Sequence, residues 1–202
     1  MRFAELLATP GVEEVVDLGS TFGFLAFHGG SLERMTDVVA CEAAARSGAS
    51  VYAVVQPPDH RWHLPSTEVT PSASSGLARF LDHVEVAVAV HGYGRNGLWT
   101  SLLLGGTNRA LASHVGSVLA ASLPGHSVVD DLEAIPPELR GVHPRNPVNL
   151  PRGGGVQLEL PPRVRGLTPH WAGWEGPGLC PPTEALVSAL AEAARTWPGC
   201  PP

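Results

Sequence analysis

Two short apolar runs, each ending in a histidine followed by glycine, constrain the fold of this chain most strongly. Residues 23–27 read GFLAF and lead directly into His28, and residues 84–90 read VEVAVAV and lead into His91. The first run is typical of a strand buried on both faces, and the second alternates valine with other residues as a strand does. We therefore expect two strands that each carry a histidine at the carboxyl end.

Segments with helical spacing alternate with strand-like segments along most of the chain. Further strands are predicted over 50–55 and 155–160, and helices over 34–46, 77–81, 108–121 and 183–197. This alternation predicts an α/β fold in one domain over 1–202, with a mixed, mainly parallel sheet and helices on both faces. Such sheets bind ligands outside the carboxyl ends of their strands, where His28 and His91 are expected.

Local signals add detail between these elements. Gly48 is expected to end the helix that begins at Arg34, and Thr183 is expected to cap the start of the C-terminal helix. Residues 56–75 are rich in proline, serine, threonine and histidine without a sustained period, which predicts a long loop.

The charge balance limits the partners of the chain. All thirteen basic residues are arginine, and the formal net charge is −6. Sequence-independent binding to nucleic acid depends on clustered positive charge, so we expect no nucleic-acid partner. No stretch approaches the roughly 20 apolar residues of a membrane-spanning helix, and the N-terminus lacks a signal pattern, so we expect a cytoplasmic monomer without a membrane partner.

The three cysteines, Cys41, Cys180 and Cys200, are odd in number and irregularly spaced. This arrangement predicts neither a disulfide framework nor a cysteine zinc site, and we expect Cys180 and Cys200 to be free thiols. A metal ion would have to use histidine and carboxylate ligands.

His28, Glu33 and His91 can supply such a ligand set. A catalytic zinc site has three protein ligands and one open position, and Glu33 follows His28 by five residues across a Gly-Gly turn that could fold its carboxylate back. The alternative for each histidine alone is a structural or surface residue. Arg95 follows His91 closely and offers either a fixed positive charge to a substrate or a solvated loop cation.

Glu159 is an acid on an otherwise apolar strand. In GVQLEL, Val156, Leu158 and Leu160 share one face, while Gln157 and Glu159 share the other. A buried acid needs a partner, so Glu159 is either paired with a nearby arginine such as Arg163 or Arg165, or serves as a base beside a metal-bound water. The residues alone leave both open.

Two further patterns are weaker. The histidines of HRWH (60–63) have ligand-like spacing but lie in a polar loop without a convergent acid. The glycine-rich run 152–155 precedes a strand instead of opening a helix, so it lacks the geometry of a phosphate site.

Five motifs in order resemble the poly-gamma-glutamate hydrolase family of phages and bacteria. They are FHGGSLE (27–33), HLPSTE (63–68), VAVHGYGR (88–95), LGGTN (104–108) and GGVQLEL (154–160). The resemblance covers roughly residues 22–167. It implies a single domain similar to the zinc carboxypeptidases, with zinc as the cofactor and a γ-glutamyl amide polymer as the substrate.

By this resemblance, His28, Glu33 and His91 match the zinc ligands of the family, and Glu159 matches its general base. The strand pattern points to the same four residues. Arg95 is the expected stabiliser of the oxyanion.

The chain departs from the family pattern in two places. Before GGVQLEL the family has an Asn-Arg pair suited to a substrate carboxylate, whereas here Asn149 precedes a leucine and the arginine comes at Arg152. We expect Asn149, Arg152 and Arg163 to contact substrate. Residues 34–37 read RMTD where the family favours a Gly-Thr-Ser/Asn-Glu type of run, and Asp37 is expected to support the ligands from outside.

The leading hypothesis is a zinc-dependent hydrolase of amide bonds. The first alternative is a deacylase of small N-acyl amino acids on the same fold, which only substrate screening would separate. The second alternative is a catalytically idle zinc-binding interaction module, which would bind zinc without turnover.

Overall fold

Seven strands form one mixed sheet in the computed structural model, which describes residues 2–199. The strands are β1 (Glu13–Asp17), β2 (Ser20–Gly30), β3 (Ala49–Gln56), β4 (Val86–Gly92), β5 (Ser101–Leu104), β6 (Ser127–Val129) and β7 (Gly155–Leu160). Their order across the sheet is β1-β3-β2-β4-β7-β5-β6. The central strands β2, β4 and β7 are therefore neighbours, although they are far apart in the sequence.

Most neighbouring strands run parallel. The parallel pairs are β2 with β3, β2 with β4, β4 with β7, and β5 with β6. The pairs β1–β3 and β5–β7 are antiparallel. This arrangement confirms the mixed, mainly parallel sheet, and it places the carboxyl ends of β2, β4 and β7 at one edge.

Five α-helices cover both faces of the sheet. They are α1 (Phe3–Leu7), α2 (Thr36–Ser47), α3 (Ser75–His83), α4 (Arg109–Ser122) and α5 (Pro181–Thr196). Helices α2, α4 and α5 pack on one face, where Leu111 and Leu186 join the apolar cluster of Val88. Helices α1 and α3 pack on the other face, where Phe3 and Phe80 join a second cluster. Helices on both faces are thus confirmed.

The side chains of β4 point alternately to the two faces of the sheet, so this strand contributes to both apolar clusters. Its valines at 86, 88 and 90 belong to the first cluster, and its alanines at 87 and 89 belong to the second. His91 continues the alanine side, because side chains alternate along a strand. On β7 the apolar residues 156, 158 and 160 also join the first cluster, so Gln157 and Glu159 lie on the same side as His91.

Strand β2 contains a bulge just before its histidine. Ala26 pairs with Ala53 of β3 while Gly29 pairs with Val55, so β2 has one residue more than β3 between these pairs. Strict alternation would place His28 with Ala26 against the first cluster. A bulge re-aims the side chains beyond it, and here it turns His28 towards the side that carries His91.

The helix ends agree with one local prediction and contradict another. Helix α2 ends at Ser47, and Gly48 caps it with a φ of 70°, as expected. The expectation that Thr183 caps α5 is wrong, because that helix begins at Pro181 and its cap is Cys180. Proline suits the first turn of a helix, and the buried Thr183 hydroxyl instead donates to the carbonyl of Val164 at 3.0 Å. Cys200, which we expected to be a free thiol, lies outside the described residues.

The predicted loop after β3 is largely irregular. Gln56 still belongs to β3, and two short 3-10 turns, Ser66–Glu68 and Pro71–Ala73, interrupt the segment before α3 begins at Ser75. None of the helices within residues 2–199 has the length and apolar character needed to cross a membrane.

Candidate functional site

Three side chains converge at the carboxyl ends of β2 and β4. His28 lies in β2, His91 lies in β4, and Glu33 lies in the turn that follows β2. One potential ligand atom of each residue lies within 4.8 Å of the other two. Both histidines are buried, and their ring centroids are 5.1 Å apart. The structure therefore brings the three residues expected to bind a metal into one cluster.

Glu33 reaches the histidines because the chain reverses sharply after β2. Gly30 has a φ of 70°, and a Cβ there would lie 2.1 Å from the carbonyl oxygen of Gln56, so the turn requires glycine. The amide of Glu33 then donates to the carbonyl of His28 at 2.8 Å. This closed turn places the carboxylate beside the imidazole.

The Glu33 carboxylate is held on both oxygens. Its Oε1 lies 2.8 Å from Nδ1 of His28, and its Oε2 accepts a hydrogen bond from the amide of Gly92 at 2.8 Å. The same Oε2 lies 3.4 Å from Nδ1 of His91. Burial alone would raise the pKa of Glu33, but the charge of His91 and the hydrogen bond to His28 hold that pKa well below its usual range.

The donor set fits a zinc-type metal ion. Nε2 of His28 lies 2.9 Å from the carbonyl oxygen of Leu64, a contact that places a ring proton on Nε2. Nδ1 and the carboxylate of Glu33 then face each other with lone pairs, so a cation must lie between them, either a proton or a metal ion. Two imidazoles and one carboxylate are also the ligand set of several catalytic zinc sites, in which ligand atoms stand about 3.4 Å apart.

His91 is buried and has an unsatisfied nitrogen. Its Nε2 has no hydrogen-bond partner among the described residues. Burial disfavours the charged ring, but the negative charge of Glu33, the hydrogen bond to it and the charge of Glu159 together raise the pKa of His91. The buried ring therefore lies in an environment that favours a positive charge.

Glu159 stands beside His91 on the neighbouring strand. The two residues are partners in the β4–β7 register, and both are buried. Oε1 of Glu159 accepts a hydrogen bond from the amide nitrogen of Gln157 at 2.8 Å. Burial raises the pKa of Glu159, and the negative charge of Glu33 adds to this effect while the charge of His91 opposes it.

An arginine partner for Glu159 was one of the two readings that the sequence left open. No ion pair between Glu159 and an arginine occurs in the described part of the chain. Arg163 is exposed, and Arg165 directs its guanidinium to backbone carbonyls instead. The carboxylate of Glu159 is left to face the cavity.

Arg165 is buried behind the site, and its guanidinium joins three segments of the chain. Its Nε donates to the carbonyl of Leu160 at 3.2 Å, its Nη1 to that of Arg34 at 2.8 Å, and its Nη2 to that of Tyr93 at 3.3 Å. Each of these carbonyls lies one or two residues beyond a site residue. A Cβ at Gly92 would lie 2.6 Å from Nη1, so the guanidinium occupies the space that this glycine leaves open.

The four site residues lie in a cavity of about 700 Å³. Its walls come from the loop at 63–67, the loop at 137–146, and the side chains of Tyr93 and Gln157. No arginine lines this cavity, and the chain has no lysine. Positive charge for an anionic substrate must therefore come from a bound metal ion, from histidine, or from beyond the cavity.

Four other residues expected at the site lie outside the cavity lining. Arg95 pairs with Glu138, a residue of the cavity wall, so its guanidinium lies at the rim. Asn149 is occupied by the backbone, because its amide donates to the carbonyls of Gly141 and His143. Arg152 and Arg163 are exposed elsewhere, and the structure does not bring them to the cluster.

Two further cavity residues, His63 and Tyr93, were not among the residues expected at the site. The His63 ring lies 4.8 Å from the His28 ring, and burial together with the charge of His28 lowers the pKa of His63. The Tyr93 hydroxyl donates to the carbonyl of Ser101 at 2.6 Å, and the pKa of Tyr93 is raised to about 12 by burial and by the charge of Glu159. The ligand-like spacing of HRWH pointed to His63, but we set it aside because the sequence shows no acid that converges on this loop. Tyr93 was signalled only by the segment VAVHGYGR, which resembles the family.

Comparison of the sequence with known families gives one match. A family model described as poly-gamma-glutamate hydrolase matches residues 3–168. No curated protein sequence matches the chain.

Solved structures share the fold at low sequence identity. A bacteriophage poly-gamma-glutamate hydrolase is 23% identical with a TM-score of 0.77, and the match covers 94% of this chain and 91% of that one. The zinc-free form of YNDL is 22% identical with a TM-score of 0.72, covering 92% and 90%. A metallo-carboxypeptidase from Burkholderia cenocepacia is 9% identical with a TM-score of 0.50, covering 95% and 65%. At these identities the matches show the carboxypeptidase-like α/β fold.

Proposed function

Because the chain belongs to the poly-gamma-glutamate hydrolase family, we propose that this hydrolase cleaves γ-glutamyl amide bonds with a zinc ion held by His28, Glu33 and His91. One observation carries the proposal: three ligand atoms lie within 4.8 Å of one another, and Glu159 lies on the adjacent strand in the same cavity. The zinc-free form of a structure with the same fold supports the choice of metal.

The ligand residues prepare a site with one open face. His28 and His91 come from the adjacent strands β2 and β4, and Glu33 comes from the turn that follows β2, so the proposed ligands leave the cavity side open. A zinc ion bound there would supply Lewis acidity, which polarises the scissile carbonyl and acidifies a water molecule. The hydrogen bond from His28 Nε2 to Leu64 holds the ring with Nδ1 towards the open face.

Glu159 is the proposed general base. Its carboxylate takes a proton from the attacking water while the water oxygen bonds to the carbonyl carbon, and it returns this proton to the leaving nitrogen as the carbon–nitrogen bond breaks. Burial raises its pKa, which strengthens it as a base. The hydrogen bond from Gln157 at 2.8 Å fixes one oxygen and leaves the other for the water.

Arg95 remains the proposed stabiliser of the oxyanion. It lies at the cavity rim and pairs with Glu138, so it would have to exchange this exposed ion pair for the substrate. Exposed ion pairs of this kind contribute little free energy, so the exchange costs little. Asn149, Arg152 and Arg163 would contact only parts of a polymer that extend beyond the cavity.

Hydrolysis of poly-gamma-glutamate by the zinc-loaded protein tests this function. Poly-α-glutamate of the same length is the matched control, because it has the same charge but a different linkage. We expect cleavage of the γ-linked polymer, loss of cleavage with a chelator, and recovery with zinc. Glu159→Gln should retain zinc but lose turnover by about 10²–10⁴-fold.

Other results would assign another function. Cleavage of small N-acyl amino acids without cleavage of the polymer would identify a deacylase. Stoichiometric zinc without turnover on any of these substrates would identify a binding module.

A further inference from the structure

Two arginines line a second pocket beside the candidate zinc site. Arg34 and Arg61 line a pocket of about 330 Å³ together with Gly30, Ser31, Gln56 and Pro58. This pocket lies at the carboxyl ends of β2 and β3, since Gly30 and Gln56 are the last residues of those strands. It is therefore at the same edge of the sheet as the candidate zinc site.

The pocket has positive charge without a matching negative charge. No carboxylate lines it, and neither Arg34 nor Arg61 has a side-chain hydrogen bond or ion pair with any residue in 2–199. Asp37 accepts a hydrogen bond from the amide of Gly30 at 3.1 Å but is not part of the lining. Two unpaired cations in one concave surface repel each other and attract an anion.

The backbone that presents the two arginines is fixed. The carbonyl of Arg34 accepts a hydrogen bond from the buried Arg165 at 2.8 Å. Gln56 accepts from the amide of Trp62 at 2.7 Å and donates to its carbonyl at 2.9 Å, which holds the residue after Arg61. The backbone at both arginines is thus held in place, so a ligand has to order only the two guanidinium side chains and not the loops that carry them.

The arginine pocket and the catalytic cavity are built from the same two segments. Ser31 and Arg34 line the pocket, whereas Glu33 between them lines the cavity. Arg61 lines the pocket, whereas His63 lines the cavity. The hydroxyl of Ser31 donates to the carbonyl of residue 60, which ties the two segments together. A polymer bound at His28, Glu33 and His91 and extending past these two segments would contact the arginines.

We propose that Arg34 and Arg61 form a subsite for a carboxylate of a γ-glutamyl residue next to the scissile bond. The inference rests on the proposed function, since it takes the substrate to be a polymer with one free carboxylate per residue. None of the described arginines lines the catalytic cavity, so the arginine pocket offers a polyanion side-chain positive charge that the cavity itself lacks. Guanidinium groups match carboxylates in charge and geometry. Arg34 also stands where the resemblance to the family would place glycine, so the subsite is a feature of this chain.

The test compares Arg34→Gln, Arg61→Gln and the double variant with Arg79→Gln. Arg79 lies exposed on α3 and lines neither pocket, so it controls for the loss of one positive charge. Two γ-glutamyl hexamers serve as substrates, one with free and one with amidated α-carboxylates. We expect the preference in kcat/KM for the free acid to fall about threefold in each single variant and about tenfold in the double variant, as exposed ion pairs contribute modestly. The preference should stay at the wild-type value in Arg79→Gln.

A binding measurement separates this inference from the proposed function. Calorimetric titration of the free-acid hexamer into zinc-loaded Glu159→Gln protein, with and without the two arginine changes, needs no turnover. We expect about tenfold weaker binding without the arginines, and a smaller dependence on salt because exposed charges are screened. If wild-type protein fails to cleave the polymer, the proposed function fails, while this titration still decides the subsite.

Two results would overturn the subsite. One is equal affinity and equal preference for the free acid with and without Arg34 and Arg61. The other is displacement of the hexamer by inorganic phosphate at matching concentration, which would make the pocket a general anion site.

Discussion

Glu33 and Glu159 are both buried carboxylates in one cavity, yet their pKa values shift in opposite directions. Glu33 is surrounded by hydrogen-bond donors and by His91, which stabilise its charge and lower its pKa. Glu159 has one hydrogen bond, and burial raises its pKa. Two acids whose environments separate their pKa values are suited to different roles. The contrast favours Glu33 as a permanently charged ligand and Glu159 as the group that exchanges a proton.

Removal of a histidine ligand should remove the metal. In His28→Ala or His91→Ala we expect zinc affinity to fall by more than about 100-fold, beyond the 10–100-fold loss typical of an outer partner. Competition with a chromophoric chelator measures this affinity. His83→Ala is the control, because His83 is exposed and bonds only to the carbonyl of Gly19 in the described structure. Near-stoichiometric tight zinc in either ligand variant would contradict the assignment.

Replacement of Glu159 should stabilise the metal-free protein above acidic pH. Its folded pKa is raised above the ordinary value of 4.5, so below that value both the folded and unfolded states are protonated and Glu159→Gln should match the wild type. As the pH rises, the unfolded state ionises first and wild-type folding becomes less favourable. The difference in free energy of unfolding between Glu159→Gln and wild type should therefore grow as the pH rises to the folded pKa of Glu159. Above that pKa the difference should stay constant.

Denaturant unfolding at several pH values, with chelator present throughout, measures this difference. The hydrogen bond that the Gln157 side chain donates to residue 159 survives this substitution, because the new glutamine keeps an acceptor oxygen. A variant that is less stable than wild type at neutral pH would show that the charged form of Glu159 is satisfied in the folded protein.

At the scale of elements, the periodic spacing of apolar residues predicted the helices and strands that pack into the apolar clusters. It missed the short strands, whose apolar residues do not repeat often enough to show a period. Strands β2, β3, β4 and β7 and helices α2 to α5 were predicted because their apolar residues repeat with the period of the element. Strands β1, β5 and β6 were missed, since they are short and lie towards the sides of the sheet. Their pairing depends on distant partners that a local pattern does not contain.

The site shows the same division. His28 and His91 were singled out because a histidine that ends an apolar strand breaks a visible pattern, and Glu33 because it follows His28 across a Gly-Gly turn. For Glu159 the residues alone left two roles open, and the resemblance to the family favoured one of them. The bulge that turns His28 was not predicted, since one extra residue in β2 has no sequence signal. The joining role of Arg165 was missed as well, because it depends on three segments that meet only in the folded chain.

Loss of Arg165 should loosen the three segments that carry the site. In Arg165→Ala the buried carbonyl of Tyr93 and the partly buried carbonyl of Arg34 lose the guanidinium as a donor, and the carbonyl of Leu160 keeps only the amide of Tyr93. We therefore expect a loss of at least about 2 kcal/mol in the free energy of unfolding. Arg163→Ala is the control, since Arg163 is nearby in sequence but exposed. Denaturant unfolding measures the loss. Zinc affinity should also fall in Arg165→Ala, and it should recover partly when a guanidinium-type cation is added at low concentration. Unchanged stability of Arg165→Ala would show that water replaces the arginine.

At the scale of the whole molecule, the metal cluster lies at an edge of the sheet and not within either apolar cluster. The clusters on the two faces consist of apolar side chains from the helices and strands, whereas the four site residues are polar and lie at or near the carboxyl ends of β2, β4 and β7. The described helices and strands therefore bury their apolar side chains without help from a metal ion. This differs from small zinc domains, in which the metal replaces a core.

Zinc should raise the stability of a protein that is already folded. At a free zinc concentration of about 100 times the Kd, binding contributes about 2.7 kcal/mol, which for a chain of this size corresponds to an increase in Tm of about 5–10 °C. Thermal unfolding followed by circular dichroism, with zinc and with chelator, measures the shift. Loss of the folded spectrum on chelation alone would contradict this prediction.

The strand order also has a consequence for how the chain is made. Strand β4 pairs with β2 on one side and β7 on the other, and β5 and β6 attach beyond β7. During synthesis one edge of β4 lacks its native partner while α4, β5 and β6 emerge from the ribosome, because β5 and β6 join the sheet only through β7. That nascent edge is apolar on both faces and carries His91 at its end. The growing chain is therefore exposed to mispairing in the interval before β7 emerges, and the proposed active site is complete only after β7 has joined the sheet.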